Sequence, residues 1–333
     1  MKDQHFTNEQ YGARNFWIAA LSVLILAFAA CSNPASDNSS PVTVYGAGSY
    51  TISGGHEAAC YWTGTKRIDL SVPVTATDSW ASGITVADDG TVYTAGNYST
   101  DPSSRPDIAC YWKGTTLLPL GVPVTTSRSY AYGITVVDGI VYVAGDYEEG
   151  NGYYKACYWI GTGTMPIPLG VPATASDTVA NGITVVNNTV YITGEYRDEN
   201  DNYKACYWIG TTPFTLGFPV TAGSSEGCGI TPANNTVYTV GNYYDPTLAI
   251  DKACYWIGTG TMPITLSVPA ETNSSALGIT VKDGTVYIVG GYYDVKTGIT
   301  NLKVCYWTGT TRTDLYTVKD AIASVGCCFI MVK

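Results

Sequence analysis

The chain has 333 residues, of which 13% are charged, and a formal net charge of −10. That length allows one large domain or two small ones. An acidic chain with no Lys/Arg cluster argues against nucleic acid or anionic lipid headgroups as partners, because both require basic patches.

The N-terminus reads as a targeting segment. Lys2 and Arg14 supply a basic start, and residues 17–30 form an apolar run. Its 14 residues are too few to span a bilayer and fit the core of a signal peptide. The run ends in Phe28-Ala29-Ala30-Cys31, which resembles a bacterial lipobox. That resemblance implies a lipoprotein signal peptide over residues 1–30, with Cys31 lipidated as the new N-terminus. Loss of residues 1–30 removes Lys2 and Arg14 together with Asp3 and Glu9, so the charge stays at −10. Residues 31–41, rich in Ser, Asn, Pro and Asp, read as a flexible tether. The expected place is the cell envelope, on a lipid anchor. Ser32 rather than Asp after the cysteine points to an outer membrane.

From residue 42 onward the chain repeats itself. Ala-Cys-Tyr-Trp, or a near copy, recurs around Cys60, Cys110, Cys157, Cys206, Cys254 and Cys305, at spacings of 50, 47, 49, 48 and 51 residues. Such a period belongs to propellers and solenoids. Each copy yields four short strands. The first is Gly-Ile-Thr-Val, as at 83–86, and the second is Thr-Val-Tyr-x-x-Gly, as at 91–96. The third carries Ala-Cys-Tyr-Trp, and the fourth ends in Leu70, Leu120, Leu169, Leu216, Leu266 or Leu315. Pairs such as Asp138-Gly139, Asn187-Asn188 and Asp283-Gly284 predict tight two-residue hairpins between the first and second strands. The third strand is apolar on both faces, which suits a sheet packed on both sides.

The two ends complement each other. Residues 42–48 copy a second strand with no first strand before it, and residues 323–333 copy a first strand with nothing after it. Together they predict an all-β chain forming a six-bladed β-propeller over 42–333. Its four-stranded antiparallel blades close when the C-terminal strand pairs with the N-terminal blade, which leaves no long sheet edge exposed.

The unit Ala59-Cys60-Tyr61-Trp62, Gly64, Asp69-Leu70 resembles the bacterial extracellular repeat family called HAF, which combines a small-aromatic-x-Trp strand, a Gly and an Asp/x-Leu-Gly ending. The resemblance covers residues 42–333 and departs at the aromatic, which is Cys60 here. It implies an extracellular repeat protein and carries no activity onto these residues.

Residues that carry chemistry are sparse. His56 is the one histidine left after residues 1–30, so no multi-His metal site is expected. No Gly-x-Ser-x-Gly elbow accompanies it, and it reads as a surface residue. The repeat cysteines read as small buried hydrophobes, because equivalent positions in neighbouring blades lie too far apart for disulfides. Cys228, Cys327 and Cys328 break the repeat near first strands. Acidic loops between strands two and three read as surface ion pairs, for example Asp146 with Lys155. The Arg197–Asn202 stretch lacks the spacing of a calcium loop and its distal Glu. No cofactor and no metal are expected.

The links from strand four to the next strand one, such as 72–83 and 122–133, emerge with the strand two–three loops on one face, around the central channel. Departures from the repeat there are the candidate ligand residues: Asp78, Trp80, Arg128, Tyr130, Tyr132, Asp177, Asn181 and Glu226, with Leu277 beside them. Aromatics among polar groups suit a glycan or peptide surface. The reading is a lipid-anchored, monomeric envelope protein that binds a protein or glycan through its channel face, with no catalytic residue assigned. The alternatives are a scaffold of an envelope assembly and a glycan-acting hydrolase or lyase.

Overall fold

Alternation of small or β-branched residues with aromatics builds strands, and paired Asp/Asn/Gly residues turn them. Asp138 and Gly139 have φ of 51° and 76°, and Asn187 and Asn188 have 49° and 59°. Two successive positive φ values define the turn whose twist matches that of the flanking strands. The structure is a computed structural model that describes residues 43–101, 107–123, 126, 128–150, 152–172, 175–219, 221–296, 301–319 and 329–331. The segment read as a signal peptide (1–30), Cys31, the stretch read as a tether (to 41), Cys327 and Cys328 lie outside the described residues.

The described strands form six four-stranded antiparallel sheets. Blade one holds β1 (Val44–Thr51), β2 (Glu57–Thr63) and β3 (Lys66–Asp69). Blade two is β4 (Asp78–Val86), β5 (Val92–Ser99), β6 (Asp107–Lys113) and β7 (Thr116–Pro119). Blade three is β8 (Ser129–Val137), β9 (Ile140–Glu148), β10 (Tyr154–Ile160) and β11 (Ile167–Pro168). Blade four is β12 (Asp177–Val186), β13 (Thr189–Arg197), β14 (Tyr203–Ile209) and β15 (Thr212–Thr215). Blade five is β16 (Ser225–Ala233), β17 (Thr236–Asp245), β18 (Ile250–Ile257) and β19 (Ile264–Thr265). Blade six is β20 (Thr272–Lys282), β21 (Thr285–Asp294), β22 (Asn301–Thr308) and β23 (Thr311–Lys319). The last strand, β24 (Phe329–Met331), pairs antiparallel with β1 and completes blade one. Contacts run β24–β4–β8–β12–β16–β20 and back to β24, so the first strands form a closed inner ring. The protein is a six-bladed β-propeller closed by its C-terminal strand.

Cores lie between blades. Cys110 and Trp112 pack towards blade one, with Ala47, Ala59 and Leu70. On the opposite face of the same strand, Ala109 and Tyr111 pack towards blade three, with Val143, Cys157 and Trp159. This is why the third strand is apolar on both faces. In blades two to six the third-strand Trp indole N–H donates to the backbone of the link behind it. Trp112 reaches Ser71 O, Trp159 reaches Gly121 O, Trp208 reaches Gly170 O and Trp256 reaches Gly217 O, all at 2.7 Å. Trp307 reaches Ser267 O at 2.9 Å. The recurrent Trp therefore fills a core and ties down the carbonyl of the crossing link.

The seam between blades six and one departs from this pattern. Leu70, Leu120, Leu169, Leu216 and Leu266 are at most 7% exposed, whereas Leu315 is 38% exposed. A register shift at Val304/Cys305 lets β23 continue along β22 instead of crossing inward, and this carries Leu315 out of the core. Trp62, which faces that seam, is half-buried, unlike the other repeat tryptophans.

Candidate functional site

Strand one opens each blade on the same end as the strand two–three loops. Asp78 pairs with Ser99, and Ser99 pairs with Asp107. On this end, a hydroxyl near the start of strand one accepts the Ala N–H of the preceding blade. Ser79 takes Ala59 N, Ser129 takes Ala109 N, Ser225 takes Ala205 N and Ser274 takes Ala253 N, each at 2.9 Å. Thr178 takes Ala156 N at 2.8 Å. Every one of these hydroxyls lies four residues before the strand's glycine, a signal present in the sequence. Ser225→Ala leaves a buried N–H without its acceptor and is expected to lower stability by about 1–3 kcal/mol. A denaturant melt of the variant measures this.

The residue before that hydroxyl supplies a second tie. Asp78 Oδ1 accepts Glu57 N at 2.9 Å, and Asp177 Oδ1 accepts Tyr154 N at 2.6 Å. Ser224 accepts Tyr203 N at 3.2 Å, and Asn273 accepts Asp251 N at 2.9 Å. Two of the predicted ligand carboxylates, Asp78 and Asp177, are thus engaged in holding blades together. In blade three the same position is Arg128, which carries only donors.

Further in, the inner strands of blades two to six each bulge at one residue. Register shifts leave Ser82, Tyr132, Asn181, Cys228 and Leu277 without a cross-strand partner, each between a small residue and a glycine. A bulge aims its extra residue away from the ladder. The following glycines let the ring close. A Cβ on Gly133 would sit 2.9 Å from Asn181 O, on Gly182 2.5 Å from Cys228 O, and on Gly229 2.7 Å from Leu277 O. Tyr132, Asn181, Cys228 and Leu277 remain partly exposed within this tight ring. Asn181 also donates from Nδ2 to Gly227 O of the next blade at 3.0 Å.

A second circle follows the glycine of strand two: Ser49, Asn97, Asp146, Glu195 and Asn242, all at most 6% exposed. The sequence reading placed Asp146 on the surface beside Lys155. The pairing instead sets Asp146 opposite Ala156, buried between blades, and Lys155 binds Glu149 at 3.1 Å. Trp80 lies across from Asn97, Tyr130 across from Asp146, and Glu226 across from Asn242. The described ring therefore brings the predicted residues to one end of the propeller but distributes them over four blades, from Asp78 in blade two to Glu226 in blade five.

One compact cluster stands out, where blades two and three meet. The Tyr130 hydroxyl donates to Asp107 Oδ2 at 2.8 Å, and Asn97 Nδ2 approaches Asp107 Oδ1 at 3.4 Å. Tyr130 stacks on Tyr132, with centroids 6.2 Å apart and planes 10° apart, and lies 5.8 Å from the tilted Tyr154 ring. Burial and the Asp107 charge push the Tyr130 phenol far above its usual range, so it stays protonated and acts as a donor. Arg128 is half-buried. Burial works against its charge, and a hydrogen bond with Tyr154 together with the fields of Tyr154, Tyr130 and Glu148 outweighs that and raises its pKa. Asp107 and Tyr154, at the starts of their strands, escaped the sequence reading, since neither departs from a fixed repeat residue.

Other charged and thiol groups fall outside this cluster. His56 Nδ1 lies 3.4 Å from Asp78, which gives the loop histidine a partner that the sequence did not reveal. Lys204 is buried over the Phe218 ring at 3.8 Å and donates to Gly223 O at 3.0 Å. Asp198 Oδ1 accepts the N–H groups of Asn200 and Asn202 at 2.9 Å, so its loop closes on itself. Burial pushes the Cys60 thiol up to about 12 and holds Cys110, Cys157, Cys206 and Cys254 well above the usual thiol range. Cys228 is partly exposed. At about pH 8 iodoacetamide should label the Cys228 peptide of the native protein and spare the six repeat cysteines until the fold is denatured, as peptide mass mapping would show.

No protein-family model matches the chain, and no curated protein matches it. Among solved structures it is similar to a Hadza microbial sialidase, at 10% identity and TM-score 0.48, over 79% of this chain and 66% of that one. It is similar to Trypanosoma rangeli sialidase at 11% identity and TM-score 0.45, over 82% and 51% of the two chains. It is also similar to a putative TolB from Agrobacterium tumefaciens, at 9% identity and TM-score 0.48, over 87% and 99%. The matches span 66% and 51% of the two sialidase chains. At these identities the likeness concerns the fold and says nothing of activity.

Proposed function

We propose that this protein is a lipid-anchored, cell-envelope propeller that binds a glycan or protein through its channel face. The observation that carries the reading is the circle of bulge residues. Around it the flanking small residues and glycines repeat, while the bulge itself changes from Ser82 to Tyr132, Asn181, Cys228 and Leu277. The small residues and glycines that flank each bulge are uniform, and the bulge residues are chemically diverse. A surface used for recognition has that composition, since specificity comes from a few placed groups on a rigid frame.

The N-terminal sequence supports the anchor. Two or three acyl chains at Cys31 would hold the propeller durably at a membrane, at about 0.8 kcal/mol per buried CH₂. Palmitate labelling of cells should mark the wild-type protein and not Cys31→Ser. For binding, immobilised protein would be exposed to an extract of cell-wall polysaccharide and secreted protein. Retention of material by the wild type, and its loss in Tyr132→Ala at unchanged melting temperature and in Asn181→Ala, which also gives up its tie to Gly227 O, is the expected result. Equal retention by wild type and both variants would move the binding surface off the channel face.

A further inference from the structure

We propose that this protein pairs with a second copy of itself through β23, the outer strand of blade six, by antiparallel strand addition about a two-fold axis. The inference is independent of the channel-face reading and replaces the monomer expected from the sequence. β23 has nine residues, whereas the outer strands of blades one to five have two to four. It is the edge of its sheet, with β22 on one side and, among the described residues, no strand on the other. An open edge offers unpaired backbone groups to another chain, and proteins guard against this with short strands and proline. Blades two to five follow that rule. Pro119 and Pro168 stand opposite the repeat cysteines, Pro213 stands opposite Trp208, and Pro263 directly precedes β19. In β23 the residues that face Cys305 and Trp307 are Asp314 and Arg312 instead. Proline fits an edge strand where the N–H faces outwards, so the N–H groups of Asp314 and Arg312 point to the free edge. In blade one the matching residues are Asp69 and Arg67, on a strand of four residues that opens with Lys66, a residue that itself guards edges.

The side chains set the occupant and the register. Thr311, Thr313, Asp314 and Leu315 are exposed, and Leu315 is the repeat leucine left outside a core. Arg312 Nε binds Asp314 Oδ1 at 2.7 Å, and Asp314 Oδ2 accepts the Tyr292 hydroxyl at 2.8 Å. The guanidinium lies 4.7 Å over the Tyr292 ring. The two charges are thus held in place along the strand, and the contact, made by backbone groups, does not need them free. An axis through Thr313 sets Arg312 of each copy opposite Asp314 of the other, and Thr311 opposite Leu315. An axis one residue away in either direction sets Arg312 on Arg312 or Asp314 on Asp314, and like charges directly opposite are destabilising. A surface whose charges complement themselves about a two-fold axis fits a copy of the same chain. The extra residue at Leu315, where the β22–β23 register shifts, bends the edge, so the contact spans residues 311–315.

The test uses the full-length protein, with detergent in excess of one micelle per chain. Sedimentation at micromolar concentration should give twice the monomer mass. Asp314→Pro installs the residue that blades two and three carry at this position and should give the monomer mass. Asp69→Pro, the same change in blade one, should leave the dimer intact. Thr313→Cys should form a disulfide-linked dimer on mild oxidation, above the wild-type background, because the axis sets residue 313 opposite itself within disulfide reach. Thr311→Cys, held away from its own copy, should not. A monomer at the highest soluble concentration overturns the proposal. So does a dimer lost in Asp69→Pro or Tyr132→Ala but kept in Asp314→Pro, which would place the contact on blade one or on the channel face. Equal cross-linking at positions 311 and 313 overturns the register and with it the two-fold contact. If Asp314→Pro lowers the melting temperature, the two cysteine variants decide alone.

Discussion

Trp208→Ala is expected to lower the melting temperature by on the order of 10 °C, from a loss of about 3–5 kcal/mol. The indole is fully buried between blades three and four, packed with Ala144, Leu169 and Cys206. Truncation opens a large cavity there. It also strands the Gly170 carbonyl, which now receives the indole N–H at 2.7 Å. The same change at half-buried Trp62 should matter much less, because the seam it faces already lacks its leucine. Thermal melts of the two variants, side by side, measure the difference. Equal losses would mean that the seam is as tightly packed as the other junctions.

Gly194→Ala should be worse still, giving insoluble protein or a loss of more than about 3 kcal/mol. A Cβ on Gly194 overlaps the carbonyl oxygen of Val179, a backbone atom that no rotamer change can move. The same geometry recurs at Gly96 against Trp80 O, Gly145 against Tyr130 O and Gly241 against Glu226 O. These glycines lie beside the bulges, so relief would require unbending the inner strand. Gly223→Ala is the control. Its Cβ would meet only the Tyr244 ring, at 3.1 Å, and a side chain can give way. Soluble expression and a denaturant midpoint near that of the wild type are expected for the control alone.

The fold was readable because each of its determinants is local and repeated. Asp138-Gly139 specifies its hairpin within two residues through backbone conformation alone. Ala-Cys-Tyr-Trp shows apolar groups on both faces of one strand, which requires a sheet on either side. The complementary ends followed from counting strands. Where a non-local contact decides the outcome, the repeat misled. Leu315 carries the same letter as Leu266, yet a register shift at Val304/Cys305 leaves it exposed. Asp146 beside Lys155 looked like a surface pair, but the antiparallel register sets Asp146 opposite Ala156 on one side and Tyr130 on the other, and Lys155 opposite Tyr147.

The candidate site was half readable. Tyr132, Asn181 and Cys228 were noticeable as departures from a repeat, without any sign that all occupy a bulge. Asp78 and Asp177 looked alike in kind to Arg128, although two accept backbone hydrogen bonds and the third does not. Asp107 and Tyr154 were invisible, because their positions vary freely from blade to blade and acquire meaning only from Tyr130, which comes from another strand.

The sequence by itself thus determined the six-fold repeat, the four strands of each blade, the hairpin turns and the ring closure, since backbone propensity and periodic burial act within a few residues. Only the tertiary structure decided which repeat-breaking residues meet. It brought Arg128, Tyr130 and Asp107 together across a blade junction. It also turned a variable loop position into a structural acceptor in four blades, where blade three carries Arg128 instead. Contacts between blades depend on how one sheet leans on the next, and no stretch of chain encodes that alone.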